Sequence, residues 1–386
     1  MKKYRQNLVF AAVLAATALL SCEELDDDIV KHTEDRQEEA LTLDEFARIL
    51  SSVPIGASQM DEVAHAVSNS TANGYDEEYT MKNVFSSPGA GVGEEVTKSD
   101  PLLYEKPLRD LIADAVRERF STKSSEGSAE DYLASISDSD MQIYWPYSEA
   151  WDGESLPIIT YDPLDGASKN VGYTLSGEEI IVSEDYARSN PVWVVNINED
   201  ASYKTIEMLR REDPDWGSGG GTISVKSDNG FKTLILRSFR ATRSYDSWLS
   251  GASEFFVKCG SIEGFDARTE AELAVYTPTV SDFMIVVRRS QIDKVLPFNA
   301  IIVSEWTERL NTCAFIITED DGGTKTTWKC SATVKYNSKN YGFDIEIPLN
   351  SRDDIVWRGQ LTRNFVEKYS GKNLRFGDVS LVLELI

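Results

Sequence analysis

Carboxylates are the most abundant side chains of this chain that could do chemistry, whereas histidine is nearly absent. The 386 residues include 64 aspartates and glutamates but only two histidines, His32 and His65. Zinc hydrolases with histidine ligands are therefore excluded, and a serine triad with a histidine base would depend on His65. Glu62 and His65 share the Glu-x-x-His spacing of carboxylate-bridged metal sites, but such sites need the motif twice. We expect both side chains on a solvated helix face, and we predict no catalytic residue and no metal ligand.

Acidic groups close together in the sequence could bind calcium, because Ca²⁺ takes oxygen ligands. None of them has the spacing of an EF-hand, and each is equally suited to a turn or a helix cap. No cofactor is therefore predicted, with a calcium site as the alternative. A carboxylate pair for glycoside hydrolysis stays open, because such a pair is defined by its separation in space. The acidic groups are Asp138 with Asp140, Asp162 with Asp165, Glu319 to Asp321, and Asp353 with Asp354.

An aromatic segment at residues 144–151 is the strongest candidate for ligand binding. Pro146 should end the preceding strand, which places Tyr147 and Trp151 on a loop. Flat rings on a loop could stack on a sugar or a peptide. The alternative is that the rings seal the helices onto the sheet.

The cysteines predict one disulfide in the folded part of the chain. If Asp321 and Gly322 form a two-residue hairpin turn, Cys313 and Cys330 lie directly opposite each other on the two strands. Non-hydrogen-bonded partners of this kind approach closely enough for a bridge. Two buried thiols are the alternative. Cys259 is expected to be an unpaired buried thiol.

Hydrophobic periodicity predicts helices first and strands afterwards. Helical spacing of apolar residues begins at residue 42 and recurs near residues 58, 105 and 128. From Met141 the period changes to two, and short strands are predicted from there on, with late helices near 203–211 and 362–369.

These elements predict an α+β fold with two folded domains. Residues 42–211 should form a helical region packed on a small β layer. Residues 212–222 are rich in glycine and are predicted to be a linker. Residues 223–386 should form a mostly antiparallel, β-sandwich-like domain.

The first 21 residues have the three regions of a secretion signal. Lys2, Lys3 and Arg5 precede an uncharged apolar run, which is too short to cross a bilayer as a helix. The run ends in Leu-Leu-Ser-Cys22, which resembles the lipobox of bacterial lipoproteins. That resemblance implies cleavage before Cys22 and attachment of a diacylglyceryl group to its sulfur, which would anchor the chain to a membrane.

The residues after Cys22 suggest where the anchored chain faces. Glu23, Glu24 and Asp26 to Asp28 form an acidic run. This run resembles the export signal of Bacteroidota surface lipoproteins, which implies an outer-membrane location facing the cell exterior. The alternative is that residues 22–41 are only a flexible, solvated tether.

Charge and location together leave two classes of function. The formal net charge of −25 repels phosphate backbones, so no nucleic-acid partner is expected. The first class is a non-catalytic surface lipoprotein that binds a glycan, a peptide or another outer-membrane protein. The second is an exported hydrolase of glycans or peptides that uses carboxylates alone.

Changing Cys22 to Ala should release the chain from the membrane fraction, because the sulfur that would carry the lipid is removed. Membrane fractionation and intact mass spectrometry measure the effect, and Cys259→Ala is the matched control that should stay anchored. Equal membrane retention of the Cys22→Ala variant and the parent would contradict the lipid anchor.

Overall fold

The computed structural model describes residues 42–86, 104, 106–121, 129–199, 203–212 and 231–386. The signal segment, Cys22, the acidic run and most of the predicted linker lie outside these residues, and the interpretations of them stay predictions. The α+β fold is confirmed, with helices on a small sheet followed by two antiparallel sheets. Within the described part of the chain, no helix has the length and apolar character needed to cross a membrane.

Five helices form one layer of the N-terminal region. Leu43, Phe46 and Leu50 of the first helix are fully buried, which confirms the helical spacing seen in the sequence. Gln59 ties the second helix to the chain that precedes the fourth, because its Nε2 donates to Lys106 O at 2.7 Å. The helices are α1 (42–52), α2 (Ala57–Ala72), α3 (Met81–Phe85), α4 (Leu108–Ser121) and α5 (Ala129–Asp138).

The first sheet has six strands in the order β1-β2-β6-β3-β4-β5, and only the β3–β6 pair among them is parallel. Its central strand β6 is buried on both faces. Trp193 and Val195 pack against the helices, while Val192 and Val194 pack against Trp248 from the C-terminal region. The strands are β1 (Glu78–Thr80), β2 (Met141–Tyr144), β3 (Ile158–Tyr161), β4 (Lys169–Tyr173), β5 (Glu179–Ser183) and β6 (Val192–Ile197), and the short helix α6 (Glu184–Ala187) follows β5.

The C-terminal region is a sandwich of two antiparallel sheets. One sheet has the order β10-β7-β16-β15, and the other has the order β13-β12-β11-β8-β9 with β14 also paired to β11. Phe239 of the first sheet meets Phe255 of the second in their shared core, with ring centroids 5.2 Å apart. The strands are β7 (Lys232–Ala241), β8 (Ser253–Ser261), β9 (Thr279–Val287), β10 (Leu296–Trp306), β11 (Leu310–Glu319), β12 (Lys325–Tyr336), β13 (Lys339–Asn350), β14 (Asp354–Thr362), β15 (Lys372–Phe376) and β16 (Val379–Leu385).

Three short helices accompany the sandwich. The first of them, α7, lies before the predicted linker, yet Ile206 is buried in the sandwich core and Thr205 pairs with Met284 of β9. Residues assigned to the N-terminal domain from the sequence thus contribute to the C-terminal core. The helices are α7 (Ile206–Glu212), α8 (Glu270–Leu273) and α9 (Arg363–Tyr369).

The predicted Cys313–Cys330 disulfide is wrong, because β11 and β12 do not pair along their length. They pair only near Leu310 and Thr312. From Thr312 onward β14 takes that edge of β11 and places Leu361 opposite Cys313, while Cys330 lies opposite Ile345 of β13. All three cysteines of the described residues are free thiols, as predicted for Cys259. A strand distant in sequence has displaced the hairpin partner.

The prediction that Glu62 lies on a solvated face is also wrong. Glu62 is only 7% exposed, and its carboxylate accepts hydrogen bonds from Leu108 N at 2.8 Å and from the Tyr79 hydroxyl at 3.2 Å. The first amide groups of α4 have no partner inside the helix, and a carboxylate satisfies one of them. Burial raises the pKa of Glu62. His65 is exposed, as predicted.

Residues 246–252, here called the docking segment, join the sandwich to the first sheet. Asp76 Oδ2 accepts from Ala252 N at 2.8 Å, and Asp162 Oδ2 accepts from Ser250 Oγ at 2.8 Å. Asn196 Nδ2 donates to Ser250 O at 2.6 Å. The backbone of the segment and the Ser250 hydroxyl are therefore held by polar side chains of the N-terminal region.

Changing Trp248 to Ala should lower the free energy of unfolding by about 3–5 kcal/mol. The indole is 2% exposed, packs on β6 and donates to Ser168 O at 3.0 Å, so truncation leaves a cavity and an unpaired carbonyl. Urea unfolding measures the change, with the partly exposed Trp328 changed to Ala as the control. Equal losses for the two variants would show that the docking segment adds no special stability.

Candidate functional site

Three consecutive acidic residues, Asp76, Glu77 and Glu78, are buried beside the docking segment. Their exposed fractions are 3%, 0% and 9%. Asp76 and Glu77 lie between α2 and β1, and Glu78 is the first residue of β1. Gly74 adopts a φ of +83° and turns the chain toward the sheet. Buried carboxylates need hydrogen-bond donors or counter-charges, so each one has to be accounted for.

The donors to this acidic run come from distant segments. In addition to the Asp76 bond to Ala252, Glu77 Oε1 accepts from Ser148 N at 3.0 Å. Glu78 Oε2 accepts from Asn198 Nδ2 at 2.8 Å. Burial raises the pKa of Asp76 and of Glu77. The run therefore fastens β1 to its surroundings, and part of its acceptor capacity is left over.

A second acidic group lies on the sandwich side. Asp246 belongs to the docking segment, Glu254 lies near the start of β8, and Glu319 is the last residue of β11. The strand register places Glu319 opposite Phe255, and Asp320 N donates to Glu254 O at 3.0 Å. One carboxylate oxygen from each of the three residues lies within 4.8 Å of those of the other two. We call these three residues the carboxylate cluster.

The charges of the carboxylate cluster are poorly compensated. Burial, and then contact with the Asp246 carboxyl, raise the pKa of Glu319. Burial also raises the pKa of Asp246, while its contacts with Glu319 and Ser253 and then the charge of Arg289 oppose that shift. The guanidinium of Arg289 is engaged by Glu184 Oε1 at 2.9 Å and by the main-chain oxygen of Asp246 at 3.0 Å.

A small cavity of about 30 Å³ is lined by residues of both the acidic run and the carboxylate cluster. That volume holds one or two water-sized groups and excludes a sugar ring or a peptide. Retaining glycosidases hold two carboxylates about 5 Å apart beside a bound sugar, and this cavity has no room for a sugar ring. The oxygen atoms that line the cavity can instead bind a proton or a hard cation. Acidic residues in the lining are Asp76, Glu78, Glu199, Asp246 and Glu254, and amide side chains are Gln142 and Asn198.

Only Glu319 of this site was among the acidic residues singled out in the sequence. The acidic run, Asp246 and Glu254 were missed, because acids that flank short strands look the same whether they are buried or solvated. Of the other predicted groups, Asp162 is buried as a partner of Ser250, and Asp140 forms an exposed ion pair with Lys82 at 2.6 Å.

Two of the remaining predicted acids are committed to turns. Asp353 Oδ2 accepts from Asn350 N at 2.9 Å. Asp165 Oδ1 accepts from Ala167 N at 2.9 Å. Both contacts are the turn role that the sequence offered as an alternative to calcium.

The exposure predicted for Tyr147 is wrong. Its ring is 8% exposed, and its hydroxyl donates to Glu184 Oε1 at 2.6 Å. Trp151 is partly buried and packs on Trp145 with centroids 5.5 Å apart. Tyr147 belongs to the core that includes Trp248, on the face of the sheet away from the helices. The alternative, in which the rings seal the helices onto the sheet, fits the packing of Trp151 against the helix-side core. Ligand contact by Trp151 stays a prediction.

An open groove of about 370 Å³ lies between α1 and the turn that joins β4 to β5. Tyr173 forms its floor, with the Arg48 guanidinium 4.5 Å from the ring centroid. Asp44 accepts hydrogen bonds from the Tyr173 hydroxyl and from Arg48 Nε. The lining residues are Arg48, Ser51, Ser52, Tyr173, Leu175, Ser176, Gly177 and Glu179.

Glu319→Gln should remove a pH-dependent loss of stability when a chelator is present. Because the folded pKa of Glu319 lies above its unfolded value, its proton stabilises the fold at low pH. That stability is lost as the pH rises above about 4.5, by up to about 3 kcal/mol at pH 7. Urea unfolding between pH 4.5 and 8 in EDTA measures the effect. Parallel pH profiles for the variant and the parent would contradict the raised pKa.

No protein-family model matches the chain, and searches of curated proteins and of solved structures find no significant match.

Proposed function

We propose that this protein is a lipid-anchored, outer-membrane surface protein whose folded part binds a neutral glycan without hydrolysing it. One observation carries the non-catalytic part of the proposal. Asp246 and Glu254 of the carboxylate cluster line a cavity of only about 30 Å³, whereas Glu179 is the only carboxylate among the eight described residues that line the open groove. Two-carboxylate hydrolysis needs both groups at the substrate.

The groove has the features of a sugar-contact surface. Its volume falls within the range of about 300–1,000 Å³ typical of small-ligand sites. Ser51 and Ser52 each donate a hydroxyl hydrogen to the helix backbone, at 2.9 and 2.6 Å, which leaves their oxygens able to accept from a ligand. Leu175 adds apolar surface, and Arg48 offers further donors. Such a mixture suits the hydroxyl groups and apolar faces of a sugar.

The charge of the chain restricts the ligand. A formal net charge of −25 repels sulfated or uronic-acid polymers over long range at low ionic strength. Neutral glycans are free of that repulsion. The acidic run after Cys22 and the lipobox-like leader support display at the cell surface, where such polymers are met. A peptide or an outer-membrane partner protein is the other ligand class that this location supports.

Changing Ser52 to Trp should weaken glycan retention at least about tenfold, because the indole fills the groove. Affinity electrophoresis of the full chain in gels of neutral xylan, glucomannan or starch measures retention. Ser68→Trp is the matched control, since Ser68 is an exposed serine on α2 outside the groove and its substitution should leave retention unchanged.

Two results would contradict the proposal. Equal retention of the Ser52→Trp variant and the parent would remove the groove as the contact surface. Release of reducing sugar by the parent, lost in Glu179→Gln, would show that the protein is an enzyme.

A further inference from the structure

The carboxylate cluster contains more buried acceptors than the protein supplies donors for. Glu319 is 0% exposed, and neither of its carboxylate oxygens has a hydrogen bond of good geometry, although the Asp246 carboxyl and the Ser253 hydroxyl lie beside it. Asp246 Oδ2 is buried without a partner as well. Ionised carboxylates only accept hydrogen bonds, so an unpaired pair of them is strongly unfavourable away from water.

Buried acceptors without donors are also found on the N-terminal side of the cavity. Asp76 Oδ1 and Asn198 Oδ1 are buried without a partner, and both residues line the cavity together with Asp246 and Glu254. Oxygens from three separated parts of the chain thus converge on one small space. One cation can bind several of these oxygens at once and so compensate all of their charges. A shared proton can bridge only two oxygens.

We infer that the carboxylate cluster is a calcium site, with Asp246, Glu254 and Glu319 as its charged ligands. Two oxygens bound to one Ca²⁺ at 2.3–2.6 Å lie no more than about 5.2 Å apart. The 4.8 Å limit within the cluster satisfies that condition. The donor set has oxygen alone, without histidine or cysteine, which favours a hard cation over zinc or copper.

Calcium fits this setting better than magnesium. Ca²⁺ accepts six to eight oxygens in irregular geometry, whereas Mg²⁺ requires a near-ideal octahedron and keeps most of its water. The cavity wall offers carboxylate and amide oxygens, and the cavity has room for about one water. Together they form a mixed and irregular set of ligands. The cavity volume of about 30 Å³ suits an ion held by protein oxygens better than one that keeps most of its water.

An ion at this position would fasten the docking segment to both neighbouring sheets. Asp246 belongs to that segment, Glu254 and Glu319 belong to adjacent strands of the sandwich, and Asp76 reaches the cavity from the N-terminal region. The ligands come together only in the folded chain, so calcium binding stabilises the folded state.

Thermal unfolding of the full chain in detergent, after EDTA treatment and in 0.1 M NaCl, tests the inference. CaCl₂ at 10 mM, a hundredfold above a Kd of about 10⁻⁴ M, should raise the Tm by at least about 3 °C, and MgCl₂ at the same concentration should raise it less. Glu319→Gln should abolish the calcium shift. Glu346→Gln is the matched control, because Glu346 is an exposed glutamate on β13 and its loss should leave the shift unchanged.

Counting bound calcium ions shows whether calcium or protonation compensates the carboxylate cluster. Equilibrium dialysis with ⁴⁵Ca should find one ion fewer on Glu319→Gln than on Glu346→Gln. If Glu319→Gln does not fold, Asp246→Asn provides the same comparison at a partly exposed position. The absence of a calcium shift in the parent, a shift that survives in the cluster variants, or an equal effect of magnesium would overturn the assignment. None of these outcomes bears on the glycan groove.

Discussion

Asp76, Asp162 and Asn196 hold the docking segment through hydrogen bonds to Ala252 and Ser250, and all three are at least nine-tenths buried. Backbone groups of a loop that leaves its own sheet cannot pair in a ladder, so side chains must satisfy them. Once these bonds form, Trp248 covers the second face of β6 and Asp246 is carried to the cavity. The placement of the cavity and of the carboxylate cluster depends on this attachment.

The attachment concentrates negative charge. Carboxylates are effective partners for backbone N–H groups, because a charged acceptor makes a stronger hydrogen bond than a neutral one. Each carboxylate that is buried also loses its hydration. A chain with a net charge of −25 has few basic side chains left over to neutralise it. Asp76 accepts a hydrogen bond from Ala252 N with one carboxylate oxygen, and its other oxygen has no partner. The buried carboxylates that hold the docking segment therefore also create the excess of hydrogen-bond acceptors around the cavity.

Local signals in the sequence predicted the elements well, and long-range pairing accounts for the errors. The apolar period of α1 and the continuous run of β6 were visible, since both depend on neighbours along the chain. The hairpin register of Cys313 was derived from its turn alone, and β14, which arrives some forty residues later, replaced that partner. Glu62 was likewise placed on a polar face, although the start of α4 needed its carboxylate. The carboxylate cluster combines residues from three segments, and no spacing in the sequence could reveal it.

The predicted location and the calcium inference support each other through concentration. Calcium sites of extracellular modules bind with Kd values of about 10⁻⁴–10⁻³ M, far weaker than those of intracellular sensors. A site that is assembled from distant segments has to order those segments on binding, which lowers its affinity. In this chain the hydrogen bonds of Asp76, Asp162 and Asn196 already order the docking segment, so the ion need only balance charge. With a Kd near the lower end of the extracellular range, about 10⁻⁴ M, the site would be filled wherever calcium is millimolar, as it is outside a cell. The fold would be less stable where calcium is scarce.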